Sequence, residues 1–110
     1  MPVDEQEIHI SDIGTIFEVT IVEVNPITCL PEPVDISSAT LRQISFKKPS
    51  LAVIVKTAVF TTDGTDGKIQ YVSVADDLDQ SGDWKLQGYV EMPSWQGYTS
   101  IGEFEVAPNL

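Results

Sequence analysis

Along most of its length the chain alternates apolar and polar residues with a period of two, and no long stretch keeps the period of an amphipathic helix. Over residues 15–23, Phe17, Val19 and Ile21 fall on one side and Glu18 and Thr20 on the other, which predicts a half-buried strand entered through the turn-like Asp12, Ile13 and Gly14. Residues 25–33 hold Pro26, Pro31 and Pro33, a density that rules out a central strand because proline cannot donate to a ladder, so a stiff loop is expected. Residues 41–48 predict a second strand with Ile44 and Phe46 inward, and residues 52–62 a third that is β-branched on both faces. Asp63, Gly64, Thr65, Asp66 and Gly67 form a dense turn signal, and residues 68–74 return as a strand to close a hairpin. Beyond a polar loop, residues 84–92 alternate Trp84, Leu86, Gly88, Val90 and Met92 against Lys85, Gln87, Tyr89 and Glu91, and a turn at 94–97 leads to a last strand over 98–107.

Six to eight short strands in 110 residues predict one all-β domain of two facing sheets, about seven strands in all, with a small barrel as the competing arrangement. The expected core comprises Phe17, Val19, Ile21, Phe46, Leu78, Trp84 and Leu86. Residues 1–10 are set apart as an acidic amino-terminal segment, and the domain is expected over 11–110. A single cysteine, Cys29, excludes an intrachain disulfide, so packing alone must hold the fold. There is no apolar run long enough for a membrane helix, and the acidic start is unlike a signal peptide, which points to synthesis and retention in a cytoplasm.

The net charge of −11 is regional: residues 1–41 carry eight acids and no lysine or arginine, all six basic residues lie within 42–85 against six acids, and Glu91, Glu103 and Glu105 follow uncompensated. Such a surface repels phosphate backbones and anionic lipid, which excludes nucleic acid and membrane as natural partners and favours a basic protein surface. Equally, the acids serve solubility.

Ser11, Asp12, Ile13, Gly14 and Thr15, the alternating strand that follows, the run from Pro33 to Thr40, the hairpin closing at Gly67, and the corner Leu78, Gly82 and Trp84 together resemble the immunoglobulin-like domain of phage tail and baseplate proteins, including the amino-terminal domain of baseplate upper proteins. The likeness spans residues 11 to about 107. It implies an immunoglobulin-like antiparallel β-sandwich acting as a non-catalytic virion structural protein, a tail, baseplate or fibre adaptor made in the host cytoplasm. Its partners would be other virion proteins, with homo-oligomers within the particle. The proline-rich insertion at 25–33 and the lack of a second domain depart from that pattern.

Catalytic constellations are weak. His9 is the single histidine and sits in the acidic segment, so a Ser-His-Asp triad has little to build on. Cys29 lies among prolines with no basic neighbour to lower its pKa. Neither an enzyme nor a cofactor is expected. Asp63 and Asp66 in one loop and Asp76, Asp77, Asp79 and Asp83 in another are hard oxygen ligands of the kind calcium takes, but aspartate and glycine are also what tight turns require. Tyr89, Trp95 and Tyr98 raise the alternative of a carbohydrate-binding module, and a capsid decoration protein is the other alternative within the virion. The expected docking surface combines Ile8 and Ile10, an apolar alternation suited to adding a strand to a neighbour, with Ile27 and Leu30 on the stiff loop.

Overall fold

A computed structural model describes residues 8–109. The chain is all-β, with eleven strands among the described residues: β1 (Ile8–His9), β2 (Ile16–Thr20), β3 (Val22–Val24), β4 (Pro31–Pro33), β5 (Leu41–Lys47), β6 (Val53–Thr57), β7 (Val59–Phe60), β8 (Lys68–Val72), β9 (Gly82–Met92), β10 (Trp95–Tyr98) and β11 (Gly102–Ala107). A six-stranded sheet runs β1-β11-β9-β5-β6, with β10 also on β9, and a three-stranded sheet runs β2-β8-β7. The hairpin β3-β4 pairs only with itself.

The count exceeds the expected seven because several predicted strands are broken. The last strand divides where Thr99 leaves the ladder: its hydroxyl accepts from the Gly88 N–H at 2.8 Å, its own N–H donates to the Gly88 carbonyl, and β10 and β11 thus share one flank of β9. Gly88 has no room for a side chain, since a Cβ there would lie 2.6 Å from a Val19 methyl across the interior. Residues 8–10, the described end of the amino-terminal segment, are joined to the body. Ile8 and His9 pair in parallel with Val106 and Ala107, and the Ile10 N–H donates to the Ala107 carbonyl, so this segment belongs to the large sheet and makes it mixed rather than wholly antiparallel. Met1 to Glu7 lie outside the described residues.

Paired residues share a face, so the registers fix what points inward. Phe46 opposes Leu86 and Ile54, and Phe104 opposes Trp84, which puts these side chains on the inner face of the large sheet. Phe17 and Tyr71 oppose one another on the small sheet. The two faces meet ring on ring: Phe17 lies 5.2 Å from Phe46 and 4.8 Å from Phe104, Phe46 lies 5.9 Å from Tyr71, and Trp84 stacks on Phe104 at 5.8 Å. Phe17, Ile21, Phe46, Leu78 and Trp84 are buried, while Val19 and Leu86 are half-buried against them.

The Trp84 indole N–H donates to the Gln80 carbonyl at 3.1 Å, so the corner that carries Leu78 is tied to the ring layer at its centre. Trp84→Ala should therefore lose about 3–5 kcal/mol of unfolding free energy, because an indole-sized void cannot collapse between two sheets. Urea melts followed by circular dichroism should show that loss. A near-native midpoint would contradict the central placement of Trp84.

Candidate functional site

The hairpin β3-β4 and its connecting turn form an arm that stands off the body. From Val22 to Pro33 every residue is exposed except the half-buried Asn25. The overall dimensions, 50 × 31 × 25 Å, and the radius of gyration of 15.1 Å, against about 13 Å for a compact chain of this size, reflect the elongation. Backbone bonds at both ends pair Asn25 with Leu30 and Ile21 with Val34, so within the arm Glu23 and Glu32 face each other as a bonded pair. The N–H and C=O groups of Val22 and Val24 and the carbonyls of Pro31 and Pro33 then point away from the partner strand. Pro31 and Pro33 occupy strand positions whose missing N–H would have had no partner, which is why a segment expected to be an irregular loop tolerates a ladder.

The arm is ordered by its own polar groups. The Asn25 side-chain oxygen accepts from the N–H groups of Ile27 and Thr28 at 2.8 and 3.3 Å, and the Thr28 hydroxyl accepts from the Leu30 N–H at 3.4 Å. The Cys29 N–H donates to the Asn25 carbonyl, and Cys29 holds the left-handed conformation, φ 61°, that closes the tip. At the root, buried Ile21 donates its N–H to Gly67, whose φ of 75° and close approach to the carbonyls of Ile21 and Val34 admit no side chain. The tip presents Ile27 at 89% and Leu30 at 62% exposure. Val22 and Val24 share one face of the ribbon with Pro31 and Pro33, and Glu23 and Glu32 share the other.

The four expected docking residues do not come together. Ile27 and Leu30 sit at the tip, but Ile8 and Ile10 pack half-buried against the core, and the strand that Ile8 was expected to add to a neighbour is added to β11 of its own sheet. Of the four, the exposed pair, Ile27 and Leu30, lies on the arm. The aromatic trio also separates. Tyr89 and Tyr98 are paired across β9 and β10 on the outer face, rings 4.6 Å apart, whereas Trp95 opposes Met92 on the other face and packs against the core.

Four of the aspartates expected as calcium ligands do turn and corner work. Asp63 accepts from the hydroxyl and N–H of Thr65, which hold its carboxyl below its usual range, and Asp66 accepts from the Lys68 N–H. Asp79 pairs with Lys48 at 2.9 Å. Asp77 is buried and accepts from the Tyr71 hydroxyl, from the Val74 N–H at 2.8 Å and from Lys56 at 3.1 Å. Among the described residues no three His, Cys, Asp or Glu side chains gather as a metal would require, and no helix is long and apolar enough to cross a membrane. His9 lies on the edge strand, its backbone N–H bonded to Asp12 at 2.9 Å.

No protein-family model matches the chain, and no curated protein matches it.

The Asp77 cluster gives the molecule a pH window. Burial alone would raise the Asp77 carboxyl, but the bonds from Tyr71 and Val74 and the Lys56 ammonium outweigh it and hold the carboxyl below its usual value. Burial, then the bond to Asp77, pushes the Tyr71 phenol up to about 12. A depressed carboxyl stabilises the fold above its unfolded pKa near 4 and loses that as pH falls through the folded value, while a raised phenol stabilises below about 10 and loses that as pH rises toward 12. Stability should be flat between about pH 5 and 9 and fall on both sides. In Asp77→Asn the plateau should drop by about 1–3 kcal/mol and both slopes should flatten, as melts across the pH range would record.

Proposed function

We propose that the chain is a non-catalytic assembly module, a virion structural protein of tail, baseplate or fibre type built on an immunoglobulin-like sandwich, which docks onto a partner protein through the β3-β4 arm. The observation that carries this reading is the arm itself. A twelve-residue ribbon with no core of its own, pinned at both ends and exposing Val22, Val24, Ile27 and Leu30, has already met most of its ordering cost before any partner arrives. The resemblance in the strand and corner residues supports the virion setting, and a capsid decoration protein would use the same arm on the head surface. Glu23 and Glu32 stand opposite one another, an arrangement of like charges that costs energy in the free arm and is relieved by a basic partner surface. The partner is accordingly a protein with an apolar cleft rimmed by lysine or arginine.

Replacing Ile27 and Leu30 together with serine should leave the melting curve unchanged, since neither side chain touches the core, and reduce incorporation into particles at least tenfold. Raising salt should weaken wild-type assembly and have less effect after Glu23→Gln and Glu32→Gln. Normal incorporation of the doubly substituted tip would refute docking through the arm.

A second reading has one observation in its favour. Tyr98, 64% exposed and tilted over Tyr89, offers a flat ring beside Gln96 on the outer face, a surface suited to stacking a pyranose. The Tyr89 hydroxyl is committed to Glu91 at 2.6 Å, which pushes the phenol up to about 12 and leaves Tyr98 as the ring able to meet a sugar. On this reading glycan-array binding should appear and vanish in Tyr98→Ala. An array with no signal above background would leave the assembly role alone.

A further inference from the structure

Every open sheet must deal with its unpaired edges, and among the described edge strands of five residues or more all but one are protected. Backbone bonds pair Thr15 with Ser73 and Ile21 with Gly67, so on β2 the outward N–H and C=O groups belong to Ile16, Glu18 and Thr20, with a carboxylate at the centre. On the arm, β4 turns Pro31 and Pro33 outward and β3 carries Glu23. β11 holds Glu103 and Glu105, and β1 and β7 are two residues long. β6 is different. The Lys48 N–H donates to Ala52 and the Ala58 N–H to Arg42, which places residues 52, 54, 56 and 58 toward β5 and turns the N–H and C=O groups of Val53, Val55 and Thr57 outward.

The side chains at that edge fit pairing as well. Val53 and Val55 are 58% and 52% exposed on the outer face, and no charge stands on that side of the strand. Lys56, the inward lysine that would ordinarily discourage an added strand, is bonded to Asp77 and lies over the Tyr71 ring, so its charge is already met within the chain.

We propose that β6 is a self-pairing edge, through which two copies of this chain join antiparallel about Val55 into one continuous sheet. In that register Val55 faces its own copy and Val53 faces Thr57, each as a bonded pair, so every outward group of β6 finds a partner and no like charges oppose. The same operation on β2 would set Glu18 against Glu18. The charge distribution selects the same edge: β6 lies within residues 42–85, where acids and bases balance, while the uncompensated acid of a chain carrying −11 lies in the segments before and after. Two copies approach through the middle segment without the repulsion that the arm or β11 would impose. This surface is separate from the arm.

Sedimentation equilibrium on the full chain tests it. Wild type should show a concentration-dependent monomer–dimer equilibrium, and Val55→Lys, at an exposed site that leaves the core intact, should weaken dimerisation at least tenfold while its circular dichroism and melting curve stay native. Val55→Cys in a Cys29→Ser background should form a disulfide-linked dimer on mild oxidation, because bonded antiparallel partners lie about 5.5 Å apart at Cα, within disulfide reach. Val72→Cys in the same background, on the other sheet, should not. A wild type that stays monomeric at every concentration, or a Val55→Lys variant that dimerises as wild type does, would overturn the proposal. The Ile27→Ser, Leu30→Ser variant should dimerise normally, so failure of the arm and failure of the edge are read separately.

Discussion

A layer of five aromatic rings between the sheets is the contact on which the rest of the molecule depends. Phe46, Trp84 and Phe104 come from the large sheet and Phe17 and Tyr71 from the small one, meeting at centroid separations of 4.8 to 6.3 Å. Edge-on and tilted pairs of this kind add about 0.5–1.5 kcal/mol each beyond the area they bury. With no disulfide available they do the work a covalent link does in many secreted sandwiches. The layer also sets the polar interior: the Tyr71 ring lies in the layer while its hydroxyl reaches Asp77, so the corner residues 77–84 are fixed by a carboxylate on one side and the Trp84 indole on the other.

Because the rings gather at one level between the sheets, whatever extends past them must be held by other means. The arm has no apolar interior, and its order comes from the Asn25 side chain, from the prolines and from the anchorage at Ile21 and Gly67. That division gives the two proposed contacts different physics. The arm is a projecting, acidic ribbon with an apolar tip, suited to entering a cleft in a different protein. β6 is an edge whose one charge, Lys56, is already paired with Asp77, suited to a second copy. A chain with both can build an assembly in which one contact sets symmetry and the other sets the partner.

Much of this was legible in the alternating pattern. Phe17, Ile21, Phe46 and Trp84 are core residues because a period of two commits every second side chain to one face, Leu78 because it anchors the corner ahead of Trp84, and the Asp63 to Gly67 turn is a turn because its residues accept unusual backbone angles. Ile8 and Ile10 illustrate the limit. Their alternation declares a strand, but not whether the partner is a neighbouring molecule or β11 of the same chain, about a hundred residues away along the sequence. Leu86 and Val19 were expected in the centre and lie at its margin, where both line an open hollow with Glu18, Thr99 and Gly102.

The sequence by itself determined the all-β class, the inward face of the strands that carry Phe17, Phe46 and Trp84, the absence of a disulfide and the regional placement of charge, since each depends only on local spacing and residue type. Tertiary structure decided which strands are edges, which segment stands outside the core, and which acids are paired. Proline at 31 and 33 reads as a strand breaker until the ladder shows both missing donors pointing away from the partner strand. Val55 reads as one more buried valine in an apolar run until the strand order leaves it at the rim. Those outcomes depend on pairings between residues far apart in the chain, and a local pattern carries no record of its distant partner.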